Sequence, residues 1–147
     1  MNLFGMMEVS ASALGAERVR AEVVTSNLAN AESTHTPEGG PYQRREVVFA
    51  AQRPSFALSL ASAGVPIQDA GSAGVRVRAV INDPAAPVVK YDPSHPDANA
   101  DGYVAYPNIN PVNEMADLMG AARAYEMNVS AITAAKQMIQ QSIEILK

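Results

Sequence analysis

The sequence predicts an α+β protein in which long helices at both ends, residues 1–30 and 111–147, flank a β-rich and loop-rich insert at 31–110. Three observations carry this. The 10 Pro are placed unevenly, with none before Pro37, nine from Pro37 to Pro107, then Pro111 and none after it. Pro fixes φ and removes a backbone donor, so Pro-free ends can run as helices while the middle turns repeatedly. Apolar residues near the C-terminus recur in steps of three and four, whereas those in the middle form short β-branched and aromatic runs. Tyr42, Phe49, Phe56, Tyr91, Tyr103 and Tyr106 place most of the aromatic side chains in the insert, where a compact core is expected.

In the first helix, Leu3, Met7, Ser10, Leu14, Glu17, Ala21, Val24 and Leu28 follow one heptad register. Val9, Ala13, Ala16 and Val23 form a second apolar face, so contacts on more than one side are expected. Gly5 is unfavourable inside a helix, and Ser10 or Ser12 offers a cap for a later start.

In the insert, Glu46–Phe49 and Val75–Ile81 read as strands, the second alternating apolar and basic residues as a half-exposed sheet face does. Val88–Tyr91 and Tyr103–Tyr106 read as two shorter strands. Gly39-Gly40-Pro41, Asn82-Asp83-Pro84 and Asp101-Gly102 supply turns, and the Ala, Gly and Ser of 61–74 suit a flexible loop.

The second helix has the plainest start. Asn110 is an N-cap, Pro111 occupies the first helical position and Glu114 brings negative charge near the positive end of the helix dipole. The heptad seam then runs Met115, Leu118, Ala122, Tyr125, Val129, Ile132, Lys136, Ile139, Ile143 and Leu146, apolar except at Lys136. Such a stripe cannot be buried against its own helix and needs partners. Met115, Met119, Met127 and Met138 add adaptable apolar surface to the same element.

Composition removes several function classes. Without Cys there is no disulfide framework and no thiolate chemistry or Cys-ligated zinc. A net charge of −4 gives no basic excess for nucleic acid, and charged residues interrupt every apolar stretch of membrane-spanning length. The N-terminus has no basic region before Arg18, so no cleaved secretory signal is expected. His35 and His95 sit alone in Pro-rich stretches, and no hydrolase, zinc-protease, P-loop or dinucleotide motif occurs, so neither catalysis nor a cofactor is expected. Asp97, Asn99 and Asp101 match the first half of a calcium loop, but Asn108 stands where a bidentate Glu is required. Arg44-Arg45 reads as a solvated pair.

The stretch Val23-Val24-Thr25-Ser26-Asn27-Leu28-Ala29-Asn30-Ala31 resembles the N-terminal signature of bacterial flagellar rod and hook proteins. Residues 91–104, Pro107-Asn108-Ile109-Asn110 and the run Arg123–Val129 are similar to the proximal-rod branch of that family, and the likeness covers 1–60 and 75–147. The resemblance implies that the terminal helices pair as an antiparallel coiled coil in a non-enzymatic structural subunit of the basal-body rod, the drive shaft that transmits torque across the periplasm. It implies partners in other rod proteins (FlgB and FlgF), FliE, the MS-ring, further copies of this chain and the flagellar type III export apparatus, with no cleaved signal peptide. The assembly interface is then expected at Leu14, Leu28, Met115, Leu118, Tyr125, Val129, Ile132, Ile139, Ile143 and Leu146. Of the signature residues Ser26, Asn27, Leu28 and Asn30, the two Asn are expected to bond the helix end or the loop at 31–37. The competing readings are a calcium-binding adaptor using Asp97, Asn99 and Asp101 and a helical-hairpin adaptor.

Overall fold

A computed structural model describes residues 3–52 and 74–145. The elements in chain order are α1 (Leu3–Ala29), β1 (Arg45–Gln52), β2 (Gly74–Asn82), β3 (Val88–Tyr91), β4 (Tyr103–Tyr106) and α2 (Pro111–Ile145). The fold is α+β, two long helices with small sheets between them in sequence. The expected loop at 61–74 falls outside the described residues except for Gly74, which opens β2, and Leu146 also lies outside them.

Helix α1 starts at Leu3 and runs through Gly5, so neither Ser10 nor Ser12 caps it. Instead the Ser12 hydroxyl donates to the Val9 carbonyl at 2.7 Å and accepts the Val75 N–H at 3.0 Å, satisfying one donor at the start of β2. A Cβ on Gly74 would stand 2.7 Å from that same Oγ, so a tertiary contact fixes both residues. Helix α2 starts as its sequence dictates, with the Asn110 side chain accepting the Val112 N–H at 3.0 Å.

β1 pairs with β2 in one two-stranded sheet and β3 with β4 in another. The β3–β4 pair is antiparallel, Val88 opposite Tyr106 and Tyr91 opposite Tyr103. Tyr91 and Tyr103 meet edge to face at 5.2 Å between ring centres, and the Lys90 ammonium lies 4.8 Å from the Tyr106 ring centre. Gly102, with φ +80°, reverses the chain before β4, and a side chain there would stand 2.9 Å from the Tyr91 ring.

The chain divides into two compact units. One gathers the described residues of Met1–Val19, Phe49–Arg78 and Ala121–Lys147. Among the described residues its buried apolar side chains are Ala16 on α1 and Ala121 and Ala135 on α2, small groups that let backbones come close. The other comprises Arg20–Val48 and Ala79–Gly120. Here the buried residues are Val24, Asn27, Val104, Pro107 and Glu114, so two of the five at the centre of this unit are polar. Within it the helices pair in antiparallel sense, because Arg20 of α1 meets Asp117 of α2 and the later Asn27 meets the earlier Glu114.

The expected core among the insert aromatics is corrected by this arrangement. Tyr91 is 67% and Tyr103 45% exposed, since a two-stranded sheet covers little on its own. Tyr42, Phe49 and Tyr106 are only half-buried, and Phe56 lies outside the described residues; among those described, burial concentrates on the helices. The inward row of α2 also differs from the apolar seam. Glu114, Ala121 and Ala135 stand at heptad spacing and are buried, with Leu118, Ile132 and Ile139 half-buried beside them. Met115, Ala122, Val129 and Ile143 form the next row round the helix and are exposed.

Candidate functional site

The recognisable Ser-Asn-Leu-Ala-Asn-Ala stretch lies at the C-terminal end of α1, where the helix runs out of intrahelical donors for its last carbonyls. Asn30 meets that need. Its N–H and its Nδ2 both donate to the Ser26 carbonyl, at 3.1 and 2.9 Å, and its Oδ1 accepts the Ser33 hydroxyl at 3.1 Å. This is the helix-end role expected of it. Gly39 and Gly40, at φ +92° and +74°, then fold the chain back through paired bonds with Thr36, returning residues 42–45 to the helix end.

Asn27 has different partners from those expected. It is 0% exposed and bonds neither the helix end nor the loop at 31–37. Its Nδ2 donates to the Arg45 carbonyl at 2.8 Å and to Glu114 Oε2 at 3.0 Å. Its Oδ1 accepts the Arg45 N–H at 2.9 Å and the Tyr42 hydroxyl at 3.1 Å. Every donor and acceptor of the amide is therefore used, and the partners dictate which atom is oxygen and which nitrogen. The physical cause of the difference is the returning segment, which places a strand start where a helix-end carbonyl was expected.

Glu114 is the second buried polar group, 1% exposed. Oε2 takes Asn27, and Oε1 takes the Arg44 Nε at 2.6 Å. Arg44 is 21% exposed, and its remaining nitrogens meet Glu46, Asp83 at 3.8 Å and Asp117 at 3.7 Å. Burial on its own would lower the Arg44 pKa, but the hydrogen bond and charge of Glu114, together with Glu46, outweigh it and hold the guanidinium above its ordinary value. Arg44 is thus no solvated residue, which corrects the reading of the basic pair. Arg45 is exposed, with its guanidinium 5.7 Å from the centre of the Tyr42 ring.

Sequence reading missed Tyr42, Arg44, Arg45 and Glu114 as members of this junction. One signal was present for Glu114, which stands seven residues before Ala121 and twenty-one before Ala135 on a row of small side chains. Charge alone made it look solvent-facing.

Of the expected interface residues, Leu14, Leu28, Leu118, Ile132 and Ile139 are half-buried. Met115, Tyr125, Val129 and Ile143 are exposed, between 41% and 55%. Ser26 bonds the Tyr42 hydroxyl at 3.3 Å. Of the candidate calcium oxygens, Asp97 accepts the Thr34 hydroxyl at 2.7 Å and Asn99 accepts the N–H groups of Asp101 and Tyr103. Among the described residues no three His, Asp or Glu gather as metal ligands, and no helix is long and apolar enough to cross a membrane. A cavity of about 460 Å³ beside the junction holds His35, Glu38 and Arg45 within a polar lining.

A helix-end Asn thus ties a strand start and a second helix together, and comparison with known proteins gives the class of structural subunit to which this arrangement belongs. The family of flagella basal body rod proteins matches residues 7–35, and that of the flagellar basal body rod FlgEFG protein C-terminal region matches residues 100–145. The flagellar basal-body rod protein FlgC of Bacillus subtilis (strain 168) is 43% identical, covering 100% of both chains. That of Salmonella typhimurium is 35% identical over 99% of this chain and 98% of its own, and that of Aquifex aeolicus 35% over 100% and 99%. The chain belongs to the FlgC family of flagellar basal-body rod proteins. It is a structural subunit of the bacterial flagellar basal-body rod and acts there. The calcium and hairpin adaptor readings are not favoured.

Proposed function

We propose that this subunit has no catalytic activity and serves the proximal part of the rod by offering the outward row of α2 to neighbouring subunits. One observation carries the reading: Met115 at 52%, Val129 at 42% and Ile143 at 55% exposed lie on one row of α2, with Val112 and Met119 alongside, apolar side chains left exposed among the described residues. The interface comprises Leu14, Leu28, Met115, Leu118, Tyr125, Val129, Ile132, Ile139, Ile143 and Leu146, with the helical ends 1–30 and 111–147 as the assembling part and 31–110 as the insert. The partners are further copies and the rod proteins FlgB and FlgF, with FliE and the MS-ring at the base, reached through the flagellar type III export apparatus. Contacts between unlike patches do not close on themselves and so generate a helical tube, the shape a torque-bearing shaft requires.

The test replaces Ile143 by Asp in cells that depend on this chain for swimming. Because the side chain is already exposed, the purified variant should unfold at the wild-type denaturant midpoint. A buried unpaired carboxylate costs several kcal/mol, so rods should be missing from isolated basal bodies. Normal swimming with intact rods would remove this row from the interface.

A further inference from the structure

The junction around Asn27 divides its partners unequally between helix and segment. Of the four bonds to the Asn27 amide, three come from residues 42–45, namely the Tyr42 hydroxyl and both main-chain groups of Arg45, and one from Glu114 of α2. Of the two Glu114 oxygens, one is held by Asn27 and the other by Arg44. The ends of α1 and α2 therefore meet through a carboxylate and an amide that neither helix can satisfy alone. Both groups are out of water, at 0% and 1% exposure.

A buried carboxylate without a cation is strongly destabilising, and so is a buried amide with orphaned donors and acceptors. An apolar helix pair would dock whether or not residues 42–45 were in place, whereas this one has a penalty built in until they arrive. We propose that Arg44 is a positioning residue that acts on the signature Asn27 through Glu114, and that residues 42–45 form a latch without which the C-terminal turns of α1 and the N-terminal turns of α2 do not dock. The inward charge gives the device its conditional character: Glu114 repels docking when alone and favours it once Arg44 is seated. The Asp117 carboxylate, shared between Arg44 and Arg20, extends the same control one turn further along α2 and two turns along α1.

The experiment is amide exchange on the full purified chain, followed separately over residues 20–29, 36–48 and 112–120, in wild type, Arg44→Met, Glu114→Gln and the double variant. Arg44→Met should speed exchange at least about tenfold in all three segments together, because the buried charge of Glu114 is then uncompensated. Glu114→Gln removes that charge, so the double variant should recover most of the protection lost in Arg44→Met. Arg44→Lys, which keeps the charge with poorer geometry, should fall between wild type and Arg44→Met. If Arg44→Met fails to fold, recovery of a cooperative unfolding transition on adding Glu114→Gln supports the latch equally. Faster exchange confined to 36–48 would overturn the proposal, since the helices would then dock without the segment. So would a double variant no better protected than Arg44→Met, or a wild-type chain unprotected over 20–29 and 112–120.

Discussion

The side-chain amide of Asn27 meets the main chain of Arg45 through two bonds, donating to its carbonyl at 2.8 Å and accepting its N–H at 2.9 Å. This is the exchange that two opposed residues make in an antiparallel ladder, here made by a helix side chain with the first residue of β1. The helix end thereby serves as a strand neighbour, and the direction in which β1 leaves is tied to the last turn of α1.

That pairing makes position 27 intolerant of both size and charge changes. Asn27→Ala strips four bonds and leaves Glu114 and the Arg45 main chain under-satisfied, a loss of about 2–4 kcal/mol. Asn27→Asp keeps the shape but sets a second carboxylate where Glu114 Oε2 now lies 3.0 Å away, and should be at least as harmful. Urea unfolding midpoints of the two variants decide this, and an Asp variant near wild type would refute it.

Asn30 should matter less than Asn27. Its side chain bonds the Ser26 carbonyl and the Ser33 hydroxyl at a half-buried site that water can reach. Asn30→Ala is expected to cost about 1 kcal/mol, read from the same unfolding midpoints.

Gly102→Ala should loosen the β3–β4 hairpin by roughly 1–3 kcal/mol, because φ is +80° and the new methyl would press on the Tyr91 ring at 2.9 Å. A change in the chemical shifts of the Tyr91 and Tyr103 ring protons would report it. A variant with unchanged ring shifts and unfolding midpoint would show that the loop relaxes freely.

Ser12→Ala removes the acceptor for the Val75 N–H and should cost about 1 kcal/mol, seen as faster exchange of that amide. The helix itself should lose nothing, since the hydroxyl bonding Val9 competes with the regular ladder there.

Asp92 sets an acid limit for its loop. The Ser94 hydroxyl and N–H, at 2.7 and 3.2 Å, hold its carboxyl below the usual carboxylate range. A folded pKa below the unfolded one contributes stability that is present above the unfolded value and disappears as pH falls through the folded value. The loop should therefore be indifferent to pH near neutrality and loosen only in strong acid. Ser94→Ala should move the Asp92 midpoint in an NMR titration upward.

Much of the chain was legible locally. The Pro distribution separated helical ends from the turning middle, Asn110-Pro111 marked the start of α2, and Val88–Tyr91 and Tyr103–Tyr106 were visible as strands, because each rests on dihedral preferences and short-range bonds that neighbours in sequence supply. The resemblance in Ser26–Ala31 located the junction without revealing its partners. Arg45 and Glu114 lie 18 and 87 residues from Asn27, and Arg44 lies 70 from the Glu114 it holds; no period in the sequence expresses such distances. The inward face of α2 was undecidable for a related reason. Hydrophobic pattern alone favours turning Met115 and Val129 inward and Glu114 outward, and the opposite holds because a charge can be buried once another segment brings its counter-charge and hydrogen bonds to meet it. Local geometry determined the elements; only the tertiary structure, by pairing distant polar groups out of water, decided which faces they turn to one another.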